Sequence, residues 1–554
     1  MKKACFLAAC FGVVLVCSAA PFNALRFGYR YTQPDKWPEM RAALEKNRSA
    51  FDDVWFSTGT SFPPLAWHEE HARQCAAAAA DLRKIGIVPS IEIQTIIGHT
   101  DAILASGDCS GQNWKTMVSA DGIAAKHLSC PRDPDLIAYF VRVAEMHAAW
   151  KPGSVWVDDD LSYRNRAPVL KPENRLAGCF CDRCLEGFAK SEGRSRERGE
   201  LARSIRSDAS LRARWDAYSC EGLGELTRAI AEAVRRISPQ TVMGYQFGDR
   251  LRPAIPMGLY AGSARPVRLR PGAGAYWDTD PHGQLEKAYQ MQEMIGDVRS
   301  AEWVESCCPE IESCPRTYAC RTPQGIILEA FENLALGMDF ISMFVADART
   351  DETTAFYADV LFPRLAAAGS FLKSYHSANR GTRPCGFTVH GASPQKLVAC
   401  RGIPIAGATG ISLGMLPDLR SIPVRTAGSD GNGGYQTRIM QLASTAGLLG
   451  FYARCDRASG GKLPAVFEKP VMAFVVPRLR EDGTLATLAL VNASIDRQEP
   501  VAVRLRGVPQ GVKKAVWNRP EEPPSACAVE RVDGVARVRL PRIGAWECGY
   551  LSFE

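Results

Sequence analysis

The sequence predicts an α/β protein: a (β/α)8 TIM barrel, a small α/β or irregular middle domain, and a C-terminal β-sandwich. Three observations predict it. Between residues 25 and 375, short apolar runs alternate with amphipathic helical stretches, the pattern of a parallel barrel with insertions. From 376 to 465 that alternation fades and Gly and Pro become frequent, as in Gly402-Ile-Pro404 and Gly431-Asn-Gly433-Gly434. From 466 to 554 short β runs are separated by turns such as Glu481-Asp-Gly483 and Val532-Asp-Gly534.

The bulk numbers agree with this division. A chain of 554 residues is too long for one compact core, and 46% hydrophobic with 23% charged residues is ordinary globular composition. A net charge of +7 is mild over this length. The basic patch around residues 194–214 reads as a solvated helix face, so no nucleic-acid partner is expected. Residues 1–20 read as a cleavable signal peptide. Lys2 and Lys3 form its basic start, Ala4 to Val16 its apolar middle, and Cys17-Ser18-Ala19-Ala20 its small-residue end. A secreted or periplasmic location follows. Cys17 raises a lipoprotein anchor as the alternative, but Val16 is larger than the residue normally found before an acylated cysteine. No run has the length of an integral membrane segment. Of the 19 cysteines, Cys5, Cys10 and Cys17 leave with the leader, and in an oxidising compartment several of the remaining 16 should pair. Cys307-Cys308 with Cys314 and Cys320, and Cys385 with Cys400, are the local candidates.

In chain order, the barrel strands are expected at 26–30, 53–57, 88–93, 154–158, 242–247, 274–277, 301–305 and 340–345. The helices between them are expected at 37–46, 68–85, 134–150, 211–237, 284–295 and 322–336. Gly86 and Gly337 stand where helices end in glycine. In the terminal domain, strands are expected at 471–476, 486–492, 501–505, 515–517 and 536–540.

Barrel enzymes draw their catalytic groups from the C-terminal ends of several strands. Strand four, Val155-Trp156-Val157, ends in Asp158, Asp159 and Asp160, and carboxylates are costly to desolvate unless the tip opens into a wet cleft. Strand seven and its following loop carry Glu305, Glu310 and Glu312. Carboxylates from two strand ends are what glycosidic-bond hydrolysis needs, one to protonate the leaving oxygen and one as nucleophile or base. The plain alternative is an Asp run that caps a loop or binds Arg or Ca²⁺. Tyr163, Arg164 and Asn165 follow that run and either bind substrate hydroxyls or pair with the carboxylates. Tyr276, Trp277 and Asp278 follow a Gly-rich strand entry and read either as a sugar platform or as barrel packing. Cys179-x-Cys181-x-x-Cys184, with Cys130 upstream, is a four-thiolate set able to hold a structural Zn²⁺, or two disulfides. No HxxxH spacing occurs among the eight histidines, so a histidine-based metallohydrolase gains no support.

Ser129-Cys-Pro-Arg-Asp-Pro134, then Val155-Trp-Val-Asp-Asp-Asp160, then Gly178-Cys-Phe-Cys-Asp-Arg-Cys184 resembles, in this order, the barrel of the family 42 β-galactosidases and related clan A glycosidases. The resemblance implies a retaining glycoside hydrolase with a carbohydrate substrate and no catalytic cofactor. It implies that Cys130, Cys179, Cys181 and Cys184 are zinc ligands. It places Asp160 where the family has its acid/base Glu, and Asp159 where it has the preceding Asn. This chain departs there: Asp is one methylene shorter, which sets the proton about 1.5 Å further back. The family nucleophile is a strand-seven Glu followed closely by proline. Glu312-Ser-Cys-Pro315 fits that spacing, Glu305 fits the counted strand end, and Glu310 shares the face of Glu312. The middle domain is shorter than the family's trimerisation domain. A catalytically degenerate barrel that binds carbohydrate is the competing expectation, because the Asn-Glu pair is absent. A Ca²⁺-dependent lyase is a third.

Overall fold

Helix and strand signals in the N-terminal part are local and strong. Asp133 caps α3 (Pro134–Ala148) by accepting from the Asp135 amide, and Pro134 opens the helix. Thr322 does the same for α9 (Pro323–Ala335), accepting from the Gly325 amide. The computed structural model describes residues 22–554 apart from 60–61, 99–110, 162, 164–175, 249–250, 279–280, 297, 315–319, 347–353, 390–419, 425–455, 457–460, 462, 470, 472 and 493–494. The leader read at 1–20, and Arg164 and Asn165, lie outside the described residues.

The parallel strands are β1 (Asn23–Phe27), β2 (Asp53–Ser57), β3 (Val88–Ile93), β6 (Ser154–Val157), β7 (Val242–Phe247), β8 (Val267–Pro271), β9 (Val304–Cys307), β10 (Glu310–Glu312) and β11 (Ile341–Ala346). Between β3 and β6 an antiparallel pair, β4 (Thr116–Val118) and β5 (Ala124–Ser129), stands apart as its own small sheet. The parallel order is β10-β11-β1-β2-β3-β6-β7-β8-β9. Only Cys308 and Pro309 separate β9 from β10, and β9 pairs with β8 while β10 pairs with β11. The chain itself therefore joins the two ends of the sheet, and strand seven is one kinked strand in an eight-stranded barrel. The crossovers are α1 (Trp37–Lys46), α2 (Leu65–Lys84), α3, α4 (Asp182–Glu192), α5 (Arg198–Ser207), α6 (Ala209–Ile237), α7 (Ala254–Ser263), α8 (Pro281–Ile295) and α9. After β11, α10 (Thr354–Phe356) runs through a π-turn into α11 (Phe362–Ala378).

Three strand positions differ from the sequence reading. Strand one lies at 23–27 and not 26–30, strand six at 267–271 and not 274–277, and strand seven starts at Val304 and reaches Glu312. The last two have one cause. Arg268, Arg270 and Glu310 are strand residues buried inside the barrel, so the strands lack the apolar run that marks a buried strand.

The C-terminal sheet contains β12 (Arg383–Val389), β13 (Arg420–Val424), β14 (Ala465–Phe467), β15 (Ala473–Leu479), β16 (Leu485–Asn492), β17 (Val501–Leu505), β18 (Lys514–Arg519), β19 (Glu522–Val532), β20 (Val535–Leu540) and β21 (Cys548–Phe553). Strand β19 pairs with β18 through its first part and with β20 through its last, carrying the sheet from one layer to the other. Val475, Leu490, Val503, Trp517, Val538 and Leu551 fill the core between. In the stretch 376–465, β12 and β13 pair with each other and β12 with β15; most of the remainder lies outside the described residues. Phe371 and Tyr375 of α11 pack on Tyr550, which joins barrel and sandwich in one apolar core.

Cys307, Cys308, Cys314 and Cys320 are free thiols, against the expectation of disulfides there. Adjacent strand residues point to opposite faces, so Cys307 and Cys308 cannot meet the same partner. Cys400 lies outside the described residues. Among the described residues no helix is long and apolar enough to cross a membrane.

One buried carboxyl gives a stability prediction. Asp53 accepts from Trp55 Nε1 at 2.8 Å and Ser90 Oγ at 3.2 Å, but burial dominates and pushes its pKa up to about 7. A raised carboxyl pKa means the folded state holds the proton longer, so stability falls as pH rises from about 4 to about 7. Asp53→Asn keeps both acceptor contacts and is expected to flatten that fall in urea midpoints.

Candidate active site

The barrel floor is a pair of stacked tryptophans. Trp55 and Trp156 lie 4.1 Å apart at 23°. Gly244 makes room for them, since a Cβ there would sit 2.3 Å from the Trp156 ring. Above this floor the interior is charged. Arg26 of β1 holds Glu92 of β3, with Nη2 to Oε1 at 2.5 Å and Nε to Oε2 at 3.3 Å. Gln246 of β7 donates to the same Glu92 Oε1 at 2.6 Å. Arg270 of β8 donates through Nη1 to Glu310 Oε1 of β10, and its Nη2 stands 3.9 Å from Asp158 Oδ1. One guanidinium thus lies between the tip of strand four and strand seven.

Electrostatics separates the carboxyls. Burial is the largest effect on Asp158 and raises its pKa well above the usual range, helped by Asp159, Glu92 and Asp160; Arg270 only partly offsets this. Like charges gathered this closely disfavour full ionisation, which favours the protonated form of Asp158. Burial would also raise Glu310, but Arg270, Lys287 and Arg26 outweigh it and hold the group at about 2. Tyr276 donates to Glu310 Oε2 at 3.3 Å, and the Glu310 charge beside it raises the phenol. Gly272 lets Glu310 in: a Cβ there would be 2.4 Å from Oε2.

Glu312, at the end of β10, is the more open of the two glutamates, its side chain 15% exposed against 4% for Glu310. Arg26 Nη1 lies 3.9 Å from its Oε2. The Asp159 carboxylate faces Gly248 and acts on both Arg270 and Tyr276. Asp160 is buried beside Asp158. Asp158, Asp159, Arg270, Tyr276, Glu310 and, through Arg26, Glu312 form one constellation, with Asp160 at its edge beside Asp158. Replacing Arg270 with Met would leave Glu310 a buried charge without its main partner, and unfolding titrations are expected to show a loss of about 3–5 kcal/mol.

Other sequence candidates do not join it. Glu305 sits near the start of strand seven, bound to Arg268 at 2.6 Å, in a groove with Asp339, His376 and Arg478. The counted strand end was early because β9 runs on into β10. Tyr163 is buried with its hydroxyl on the Ser219 carbonyl at 2.6 Å, away from solvent. Asp278 accepts from the Thr322 amide at 2.7 Å and pairs with Arg321 at 3.4 Å, tying down the start of α9. Trp277 is 55% exposed, as a free aromatic platform requires. Sequence reasoning missed Arg26, Glu92, Gln246 and Arg270. The available signal was alternation, since Val267-Arg-Leu-Arg-Pro271 places arginines on every second residue of a strand.

Cys130, Cys179, Cys181 and Cys184 converge with all four sulfurs within 4.8 Å of one another. Cys130 lies 3.6 Å from Cys184 and 3.7 Å from Cys181. A disulfide needs about 2.05 Å, whereas a tetrahedral zinc tetrathiolate with bonds of about 2.3 Å sets its sulfurs about 3.8 Å apart. The donor set fits a soft four-coordinate ion. Cys181 precedes α4, Cys184 lies in its first turn, and the amide of Phe180, between Cys179 and Cys181, donates to the Val118 carbonyl of β4 at 2.7 Å. The cluster therefore clamps the turn at Cys179–Cys181 and the start of α4 to Cys130, which follows β5.

No protein-family model matches the sequence, and no curated protein sequence is significantly similar to it. Solved structures are similar in fold. An α-L-fucosidase isoenzyme 2 from Paenibacillus thiaminolyticus aligns over 96% of this chain and 100% of its own, with a TM-score of 0.56 and 9% identity. A cold-adapted β-galactosidase from Rahnella sp. R3 aligns over 96% and 98%, with a TM-score of 0.56 and 12% identity. A β-galactosidase from Bacillus circulans sp. alkalophilus aligns over 96% and 99%, with a TM-score of 0.54 and 11% identity. The chain has the barrel-plus-β-domain fold found in these glycoside hydrolase structures.

Proposed function

We propose that the chain is a glycoside hydrolase that uses carboxyls from strands four and seven in a retaining mechanism. The observation that carries this reading is the Arg270 bridge, which gathers Asp158 and Glu310 of strands four and seven around one guanidinium, while Glu312, the more open strand-seven glutamate, is held only loosely by Arg26. Asp160 is assigned as the acid/base, with protonated Asp158 and Asp159 orienting it. Glu312 is assigned as the nucleophile, because Glu310 is committed to Arg270 and Tyr276. Trp277 and Tyr276 supply the sugar platform. The similar folds of β-galactosidases and an α-L-fucosidase make galactosides and fucosides the first substrates to try.

Zn²⁺ is assigned to Cys130, Cys179, Cys181 and Cys184 as a brace for the loop, with no part in the chemistry. The basic and apolar residues at 2–20 support export by a cleavable signal, and three parts with borders near 375 and 465 remain the proposed domain layout. The test is a panel of aryl glycosides given to wild type, Asp160→Asn and Glu312→Gln. Hydrolysis by wild type that Glu312→Gln loses on every glycoside, and that Asp160→Asn loses on those with poor leaving groups, supports the reading. Sugar binding without any hydrolysis by wild type favours the carbohydrate-binding alternative.

A further inference from the structure

Among the described residues a second group of metal-ligating side chains converges, distinct from the four cysteines and outside the charged layer. It consists of His71 and Cys75 of α2 and His147 of α3, with ligand atoms all within 4.8 Å of one another. His71 and Cys75 are one helical turn apart, and His147 comes from the end of the neighbouring helix, so no sequence spacing betrays the set.

All three side chains are buried, with His147 and Cys75 at 0% exposure. The Cys75 sulfur lies 3.5 Å from His71 Nε2. A thiol hydrogen bond accounts for that contact but leaves His147 unexplained, because both of its ring nitrogens are buried without a partner. A buried imidazole with neither nitrogen bonded is costly to desolvate, and a bound ion would satisfy one of the two. Burial also keeps the histidines neutral, with His71 lowered to about 3 and His147 well below its usual value. Neutral imidazole is the form that ligates. His68 packs edge-on against His147 at 6.0 Å and is itself held by the Tyr139 hydroxyl at 2.8 Å, forming a wall of the site.

We propose that His71, Cys75 and His147 form a three-coordinate site for a soft monovalent cation, Cu(I). Two nitrogens and one thiolate are donors that both copper and zinc accept. Charge and coordination number decide between them. Two neutral imidazoles and a thiolate carry one negative charge, so a monovalent ion gives a neutral complex, whereas a divalent one leaves a buried positive charge. Among the described residues the converging ligand set holds no carboxylate to offset that charge. Structural zinc also takes four ligands, and three converge. Bonds of about 2.0–2.3 Å around a central ion put a nitrogen and a sulfur about 3.5–3.8 Å apart, the separation seen for His71 and Cys75. Binding releases the Cys75 proton to solvent as the sulfur–metal bond forms.

The test uses the full chain under anaerobic conditions, challenged with Cu(I) held by the chromophoric chelator bicinchoninate. Wild type is expected to take one more Cu(I) per chain than Cys75→Ser or His147→Gln, and Cys181→Ser is expected to leave that difference in place. X-ray absorption at the copper edge, which needs no variant to fold, is expected to show a mixed nitrogen and sulfur shell of three ligands. Equal copper uptake by wild type and both variants overturns the site. So does an all-sulfur shell, which places the copper on the four cysteines. A difference seen with zinc and not with copper overturns the choice of ion.

Discussion

Glu312→Gln is expected to lower turnover of every hydrolysed aryl glycoside by about a thousandfold or more. The variant should leave the far-ultraviolet circular dichroism unchanged. The side chain is partly open and its contact to Arg26 is long, so the fold does not depend on its charge. Asp160→Asn should behave differently. An acid is needed only when the leaving group is poor, so this variant is expected to lose unactivated substrates while keeping most of its first-step rate on dinitrophenyl glycosides. Rates measured across leaving groups of graded acidity separate the two roles. If both variants respond identically to leaving-group acidity, the assignment of acid and nucleophile is wrong.

Cys181→Ser is expected to remove one equivalent of zinc per chain and to destabilise the fold by about 4–5 kcal/mol or more. The cost is large because the assigned ion would tie three segments together: Cys130 before α3, the turn at Cys179 and Cys181, and the first turn of α4. The variant should lose glycosidase activity mainly on heating, since the cluster braces a loop and touches no carboxylate of the site. Metal analysis with thiol titration checks this. Wild type with no bound metal, or four sulfurs lost pairwise to disulfides, rejects the zinc assignment.

How far the sequence revealed all this depends on where polarity falls. Strands β2, β3 and β7 and helix α1 lie at the residues expected, because their apolar residues keep the period of the element. Strand β8 was misplaced because Arg268 and Arg270 interrupt the apolar run, and Arg270 is what the charged layer needs. Strand seven was ended too early because Cys308-Pro309 kinks it, yet the kink is where the barrel closes. The four cysteines were legible from spacing, since three of them lie within one turn and its helix. Arg26, Glu92 and Gln246 were not, because their contacts join strands far apart in sequence. The His71, Cys75 and His147 set was hidden for the same reason. Functional interiors break the local rules that make a strand readable.

A 2-deoxy-2-fluoro glycoside with an activated leaving group probes the central claim most directly, because it traps the glycosyl-enzyme of a retaining hydrolase. Galactosyl and fucosyl forms, incubated with wild type and followed by peptide mass spectrometry, are expected to leave one sugar on the peptide containing Glu312. A label on Glu305 or elsewhere outside the Arg270 constellation, or no label while the natural glycoside is turned over, would contradict the account.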